Sequence, residues 1–193
     1  MNKNYWKCAL LGGIVVFIWG VVSWMLLPWH MMTTHKFINE EQVAMAIKAN
    51  APEDGVYFLP SCHPDAATQK MDKKEKDASW QGTKDRMRRG PIVCASVHLQ
   101  GMDPDSIRPF IGSLIIQIIG AFFATWLFLK TKAGSYGRQV CWFAVVGLFA
   151  GIVSALPAWN WMGFSTGWTI VAILDLVIGW TLAGCVIAKV AKK

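Results

Sequence analysis

The feature that most constrains this chain is a set of four long apolar runs. They are Cys8 to Leu27 ("CALLGGIVVFIWGVVSWMLL"), Phe110 to Leu129, Val140 to Leu156 and Trp168 to Ala188. A helix needs ~20 apolar residues to cross ~30 Å of hydrocarbon. Three runs reach that length and the third falls slightly short. Lipid offers no partner for backbone N–H and C=O groups, so a continuous apolar run spans it as a helix. The expected fold is therefore an all-α membrane protein. It has four transmembrane helices and a small α+β extracytoplasmic domain between helices 1 and 2. The expected divisions are 1–29 for the N-terminal tail and helix 1, 30–108 for the external domain, and 109–193 for helices 2–4 and the C-terminal tail.

The formal net charge of +7 suggests nucleic acid until the charges are located. Residues 30–108 carry eleven basic and eleven acidic side chains and are neutral. The excess sits in Lys3 and Lys7 before helix 1, in Lys130, Lys132 and Arg138 between helices 2 and 3, and in Lys189, Lys192 and Lys193 after helix 4. In a four-span topology these segments share one side. Short basic flanks stay cytoplasmic, whereas a long loop crosses largely regardless of its charge. The sequence therefore predicts a multi-pass protein of a cytoplasmic (inner) membrane, with both termini inside and residues 30–108 outside. Helix 1 reads as an uncleaved signal anchor, because its apolar run is too long for a cleaved signal and no A-x-A-like site follows it. The partners implied are the lipid bilayer and other membrane subunits, with no nucleic acid.

Small residues recur at helical spacing within the spans: Gly112 and Gly120 in the second, Gly147 and Gly151 in the third, Gly179 in the fourth. Such residues let backbones approach closely, which is how helices associate in lipid. Asp175 is the one ionisable residue deep in a span, and a charge there costs ~2.5–3.5 kcal/mol on insertion scales. Gln117 falls at almost the same depth, so the two are expected to face each other.

In the external domain, Asn39 is a plausible cap for a helix over "EEQVAMAIKAN", with Gln42 at the capping-box position and Ile38 and Val43 at staple spacing. "GVYFLP" (55–60) and "PIVCASVHL" (91–99) read as short strands. The charged stretch from Pro64 to Gly90 reads as solvated helix in part. Pairing of the strands would bring Cys62 and Cys94 near each other, a possible disulfide outside the membrane. A redox-active pair is disfavoured by the lack of a C-x-x-C. His30, His35, His63 and His98, with Met31 and Met32, are candidate metal ligands, since imidazole with soft sulfur suits copper or zinc. Their spacings match no H-x₃-H or C-x₂-C pattern, and no cofactor is predicted.

No P-loop, H-E-x-x-H or G-x-S-x-G is present, which disfavours an enzyme. The leading expectation is an accessory, assembly or structural component of a larger membrane complex. The alternatives are a small transporter or metal-handling protein using Asp175, Gln117 and the external His, Met and Cys side chains, or an envelope thiol-redox protein using Cys62 and Cys94.

Overall fold

A computed structural model describes residues 4–63, 66–131 and 134–191. Lys3, Pro64, Lys132, Lys192 and Lys193, invoked above for charge and segment boundaries, lie outside the described residues. The chain forms two compact units. One comprises residues 1–35 and 104–193, the other residues 36–103.

The first unit holds four helices long and apolar enough to cross a membrane: α1 (Tyr5–Met25), α5 (Arg108–Phe128), α6 (Tyr136–Met162) and α7 (Thr166–Val190). The α6 helix extends well beyond its apolar run. It continues through Pro157, which lacks only one donor, and stops where Gly163 turns left-handed at φ 73°. Phe164 N–H then donates to Ala158 O at 3.3 Å.

Packing runs in the order α5–α1–α7–α6, with neighbours antiparallel. α5 meets α6 at one end, where Phe128 packs against Trp142 and Phe143. Close approach at glycine sets the spacing. A Cβ on Gly147 would stand 2.6 Å from Leu176 O, and one on Gly151 3.0 Å from Ile173 Cα, so both glycines of the α6 G-x-x-x-G press on α7. Gly179 of α7 faces Trp19 of α1, where a Cβ would lie 2.9 Å from the indole. Gly13 of α1 packs on the backbone of α5, 2.6 Å from Ile118 Cα by the same measure. Gly120 touches Trp180 at ordinary contact distance, whereas Gly112 meets nothing within 4 Å. The small-residue pattern is thus used at Gly147, Gly151 and Gly179. Gly112 makes no such contact within the described residues, and Gly13 belongs to the set although the spacing pattern did not select it.

The second unit pairs β1 (Gly55–Leu59) with β2 (Val93–Val97) as an antiparallel ribbon, Phe58 opposite Cys94. Helix α2 (Glu40–Asn50) starts where Asn39 Oδ1 accepts the Gln42 N–H at 2.9 Å. The expected staple is not made: Ile38 is fully exposed, and α2 buries no residue against which it could close. The charged stretch is helical as α3 (Ala66–Lys70) and α4 (Lys73–Arg89). Asp72 and Glu75 close a reciprocal capping box at 2.8 and 2.9 Å, which satisfies two N-terminal donors.

Gly147→Ala is expected to destabilise the protein by about 1–3 kcal/mol, because the new methyl meets backbone and cannot be accommodated by a rotamer change. Gly112→Ala, in open space, should leave stability nearly unchanged. Thermal unfolding of both variants in detergent compares them, and equal melting would rule out the α6–α7 seam as the tight contact.

Candidate functional site

The chain leaves α1 abruptly. Leu26 and Leu27 N–H groups both turn back to Val22 O, and Pro28 cannot donate at all. A short 3₁₀ turn follows at Met31–Thr33, held by Met32 N–H to Pro28 O at 3.0 Å and Thr33 N–H to His30 O at 3.1 Å. Thr33 Oγ1 also donates to His30 O, at 2.9 Å. This turn folds Trp29 and His30 back against the helices instead of leading them away. His30 is 4% exposed, while Met31 and Met32 stay outside at 73% and 77%.

Five side chains converge there. The Trp19 indole N–H donates to Asp175 Oδ1 at 2.6 Å and to the Asp175 carbonyl oxygen at 3.0 Å. His30 Nε2 lies 3.5 Å from Asp175 Oδ2 and 3.0 Å from Ser23 Oγ. The Trp29 indole donates to Ser23 Oγ at 3.0 Å and to Ser23 O at 3.2 Å. Aromatic rings enclose the imidazole. Trp24 stacks on it at 3.8 Å and 10°, and the rings of Trp29 and Trp168 stand edge-on at 5.8 and 6.2 Å.

The other imidazole nitrogen, Nδ1, is buried without a protein partner. This decides the proton arrangement. With the proton on Nε2, the ring donates toward Asp175 and Ser23 and leaves one lone pair unmatched. With the proton on Nδ1, a buried N–H is stranded and Nε2 presents a lone pair to a carboxylate. An orphaned buried donor costs about 1–3 kcal/mol, so the Nε2–H tautomer is favoured.

Serine, histidine and aspartate invite comparison with a hydrolase triad, but the geometry differs. Ser23 and Asp175 address the same nitrogen, so no proton path runs across the ring from one to the other. Ser23 is also fully buried and accepts an indole N–H. The cluster works as a polar tie between the end of α1 and α7.

Asp175 also forms part of the wall of a cavity of about 390 Å³ between α1, α5 and α7, which Gln117 and Ser113 line from α5. Asp175 and Gln117, expected to face each other, line one cavity, and no hydrogen bond joins them directly. The carboxylate oxygens are taken up by Trp19 and His30, which approach from α1 and the turn after it. The sequence did carry a signal for this. Proline directly after an apolar run forces a turn, and "PWH" supplies two polar rings to whatever lies beneath.

The remaining candidates are divided between the two units. His35 belongs to the first unit and is exposed; His63 and His98 belong to the second. His98 Nδ1 is 3.5 Å from the exposed Asp54 carboxylate, and the His63 ring packs edge-on to Phe58 at 6.5 Å. Among the described residues, no three His, Cys, Asp or Glu side chains converge as a metal site. Cys62 follows the β1 end, Cys94 lies in β2, and no disulfide joins them. No family model, curated protein or solved structure matches this chain.

Asp175→Ala removes the carboxylate from Trp19, which keeps the main-chain carbonyl of residue 175, and from His30, which keeps Ser23 Oγ, and should cost about 1–3 kcal/mol in total. Asp175→Asn keeps an oxygen for Trp19 and should cost less. Melting temperatures that rank wild type above Asn above Ala are expected; an Ala variant as stable as wild type would show that the tie is not structural.

Proposed function

We propose that this chain is a non-enzymatic component of a cytoplasmic membrane, an accessory, assembly or structural subunit of a larger membrane complex. The observation that carries this reading is the open row of helices. Only 17% of the apolar window is buried in α5 and in α6, against 33% in α1. Ile115, Ile116, Ile119 and Phe123 on α5 and Val145, Phe149, Ile152 and Val153 on α6 all face outward. The glycine seams are spent within the row, so a partner would meet these larger apolar side chains. In lipid they are as well solvated as in protein, so shape fit would drive association. The basic residues Lys130, Arg138 and Lys189 support cytoplasmic termini by the positive-inside rule, with residues 30–108 outside.

A second reading, a small transporter, is supported by the cavity that Asp175 and Gln117 share near mid-span. Intramembrane carboxylates are functional candidates by default. Against it stands the isolation of Asp175: beside His30, no second ionisable group continues a path through the helices.

Purification from native membranes in mild detergent should yield a stoichiometric partner. A strictly monomeric, partner-free protein would overturn the leading reading. Orientation has its own check. After mild reduction, a membrane-impermeant maleimide should label Cys62 on intact cells but reach a Ser135→Cys variant only after lysis, and the reverse pattern would invert the topology.

A further inference from the structure

From the cavity between α1, α5 and α7, we infer a binding site for a primary ammonium group carried on an apolar chain. Its walls include Trp19, Trp24, Phe110, Ser113, Gln117 and Asp175. Asp175 is the sole ionisable side chain among the lining residues, and it places a carboxyl group on an otherwise neutral wall.

The carboxylate is held but not used up. Trp19 fixes one oxygen at 2.6 Å, and His30 stands 3.5 Å from the other. Each carboxylate oxygen can accept in two directions, so capacity remains for a ligand donor. The Asp175 side chain keeps 18% of its surface open, which an ordinary buried ion pair does not require. Ser113 and Gln117, four residues apart on α5, line the same space and add a hydroxyl and an amide oxygen. Three acceptors of this kind suit the three N–H donors of a primary ammonium. The indole faces of Trp19 and Trp24 are further attractive to a cation.

Other ligand classes fit less well. An anion would face the acceptor oxygens of Asp175 in a low-dielectric setting, with no basic side chain among the lining residues. A hard metal cation wants six or more oxygen ligands, and one carboxylate with two neutral oxygens falls short. A quaternary ammonium would leave Gln117 and Ser113 without a donor. The rest of the wall, with Val16, Val21 and Met25 on α1 and Leu176 on α7, is apolar and suits a hydrocarbon tail. The cavity follows α5 from Pro109 to Gln117, a rise of ~12 Å. The ammonium could belong to a free long-chain amine or to an aminoethyl lipid headgroup.

The test uses the full chain in phosphatidylcholine nanodiscs, titrated calorimetrically with dodecylamine, with dodecanol and dodecyltrimethylammonium as controls. Dodecylamine should bind more tightly than either control. Asp175→Asn should weaken it about tenfold or more, the size expected for one charge-assisted hydrogen bond. Gln117→Leu leaves the Trp19–Asp175–His30 contacts untouched and should weaken binding severalfold, so a folding defect in the first variant does not decide the result. Dodecanol binding as tightly as dodecylamine, or wild-type affinity in both variants, would overturn the site. If phosphatidylethanolamine in the nanodiscs competes with dodecylamine, the ammonium site takes a lipid headgroup; if dodecylamine binding is unaffected, it takes a free amine. Failure here leaves the accessory-subunit reading intact, and a partner-free protein would leave the amine site intact.

Discussion

The structure depends on close backbone contact through glycine. Hydrocarbon gives helices no apolar reason to leave it, so they hold together by fit. Gly13 brings α1 onto α5, Gly179 brings α7 onto α1, and Gly147 with Gly151 bring α6 onto α7. Each contact joins one pair, and the pairs form a row. Between α5 and α7, on one side of α1, the row leaves room that no side chain fills. The cavity is a consequence of how these seams are placed, and it opens beside the one carboxylate of the spans.

That carboxylate is accommodated by a second device, the turn after α1. Pro28 ends the regular hydrogen bonding, and the 3₁₀ turn brings Trp29 and His30 back to the level of Ser23. Asp175 thereby gains a histidine donor from a segment that would otherwise leave the helices. The α1 end and α7 are joined by polar contacts where aromatic rings exclude water. Such contacts are stronger than in water, and more costly if one partner is lost.

Much of the fold was legible. Apolar run length alone located all four long helices, and the Asn39 cap and the two strands followed from local chemistry. The limits were of two kinds. The α6 helix outran its apolar stretch because helix propagation, once begun, tolerates Pro157 and polar Asn160 until Gly163 breaks it. The contacts of the site were not legible, because depth was counted along straight helices. By that count Gln117 and Asp175 are level, and the cavity does contain both. Rotation about the helix axis decides which groups touch, and a turn can return a residue that seems to have left. His30 looked like part of a sequence cluster with His35 and two methionines. The turn separates them, sending His30 inward and leaving Met31 and Met32 exposed.

Stability alone does not account for Asp175. A carboxyl group tied to buried polar partners is commonly no more stabilising than apolar residues of the same volume. Replacing Asp175 and His30 by apolar side chains would remove both the desolvation cost and the orphaned Nδ1 of the imidazole. The glycine at 179 would still seat α7 on Trp19. What such a replacement would abolish is the carboxyl group on the cavity wall and the acceptor directions that Trp19 and His30 leave open. The tie orients the carboxylate, and the cavity gives its open side something to face. A structural clasp needs only the first of these, whereas a binding site needs both.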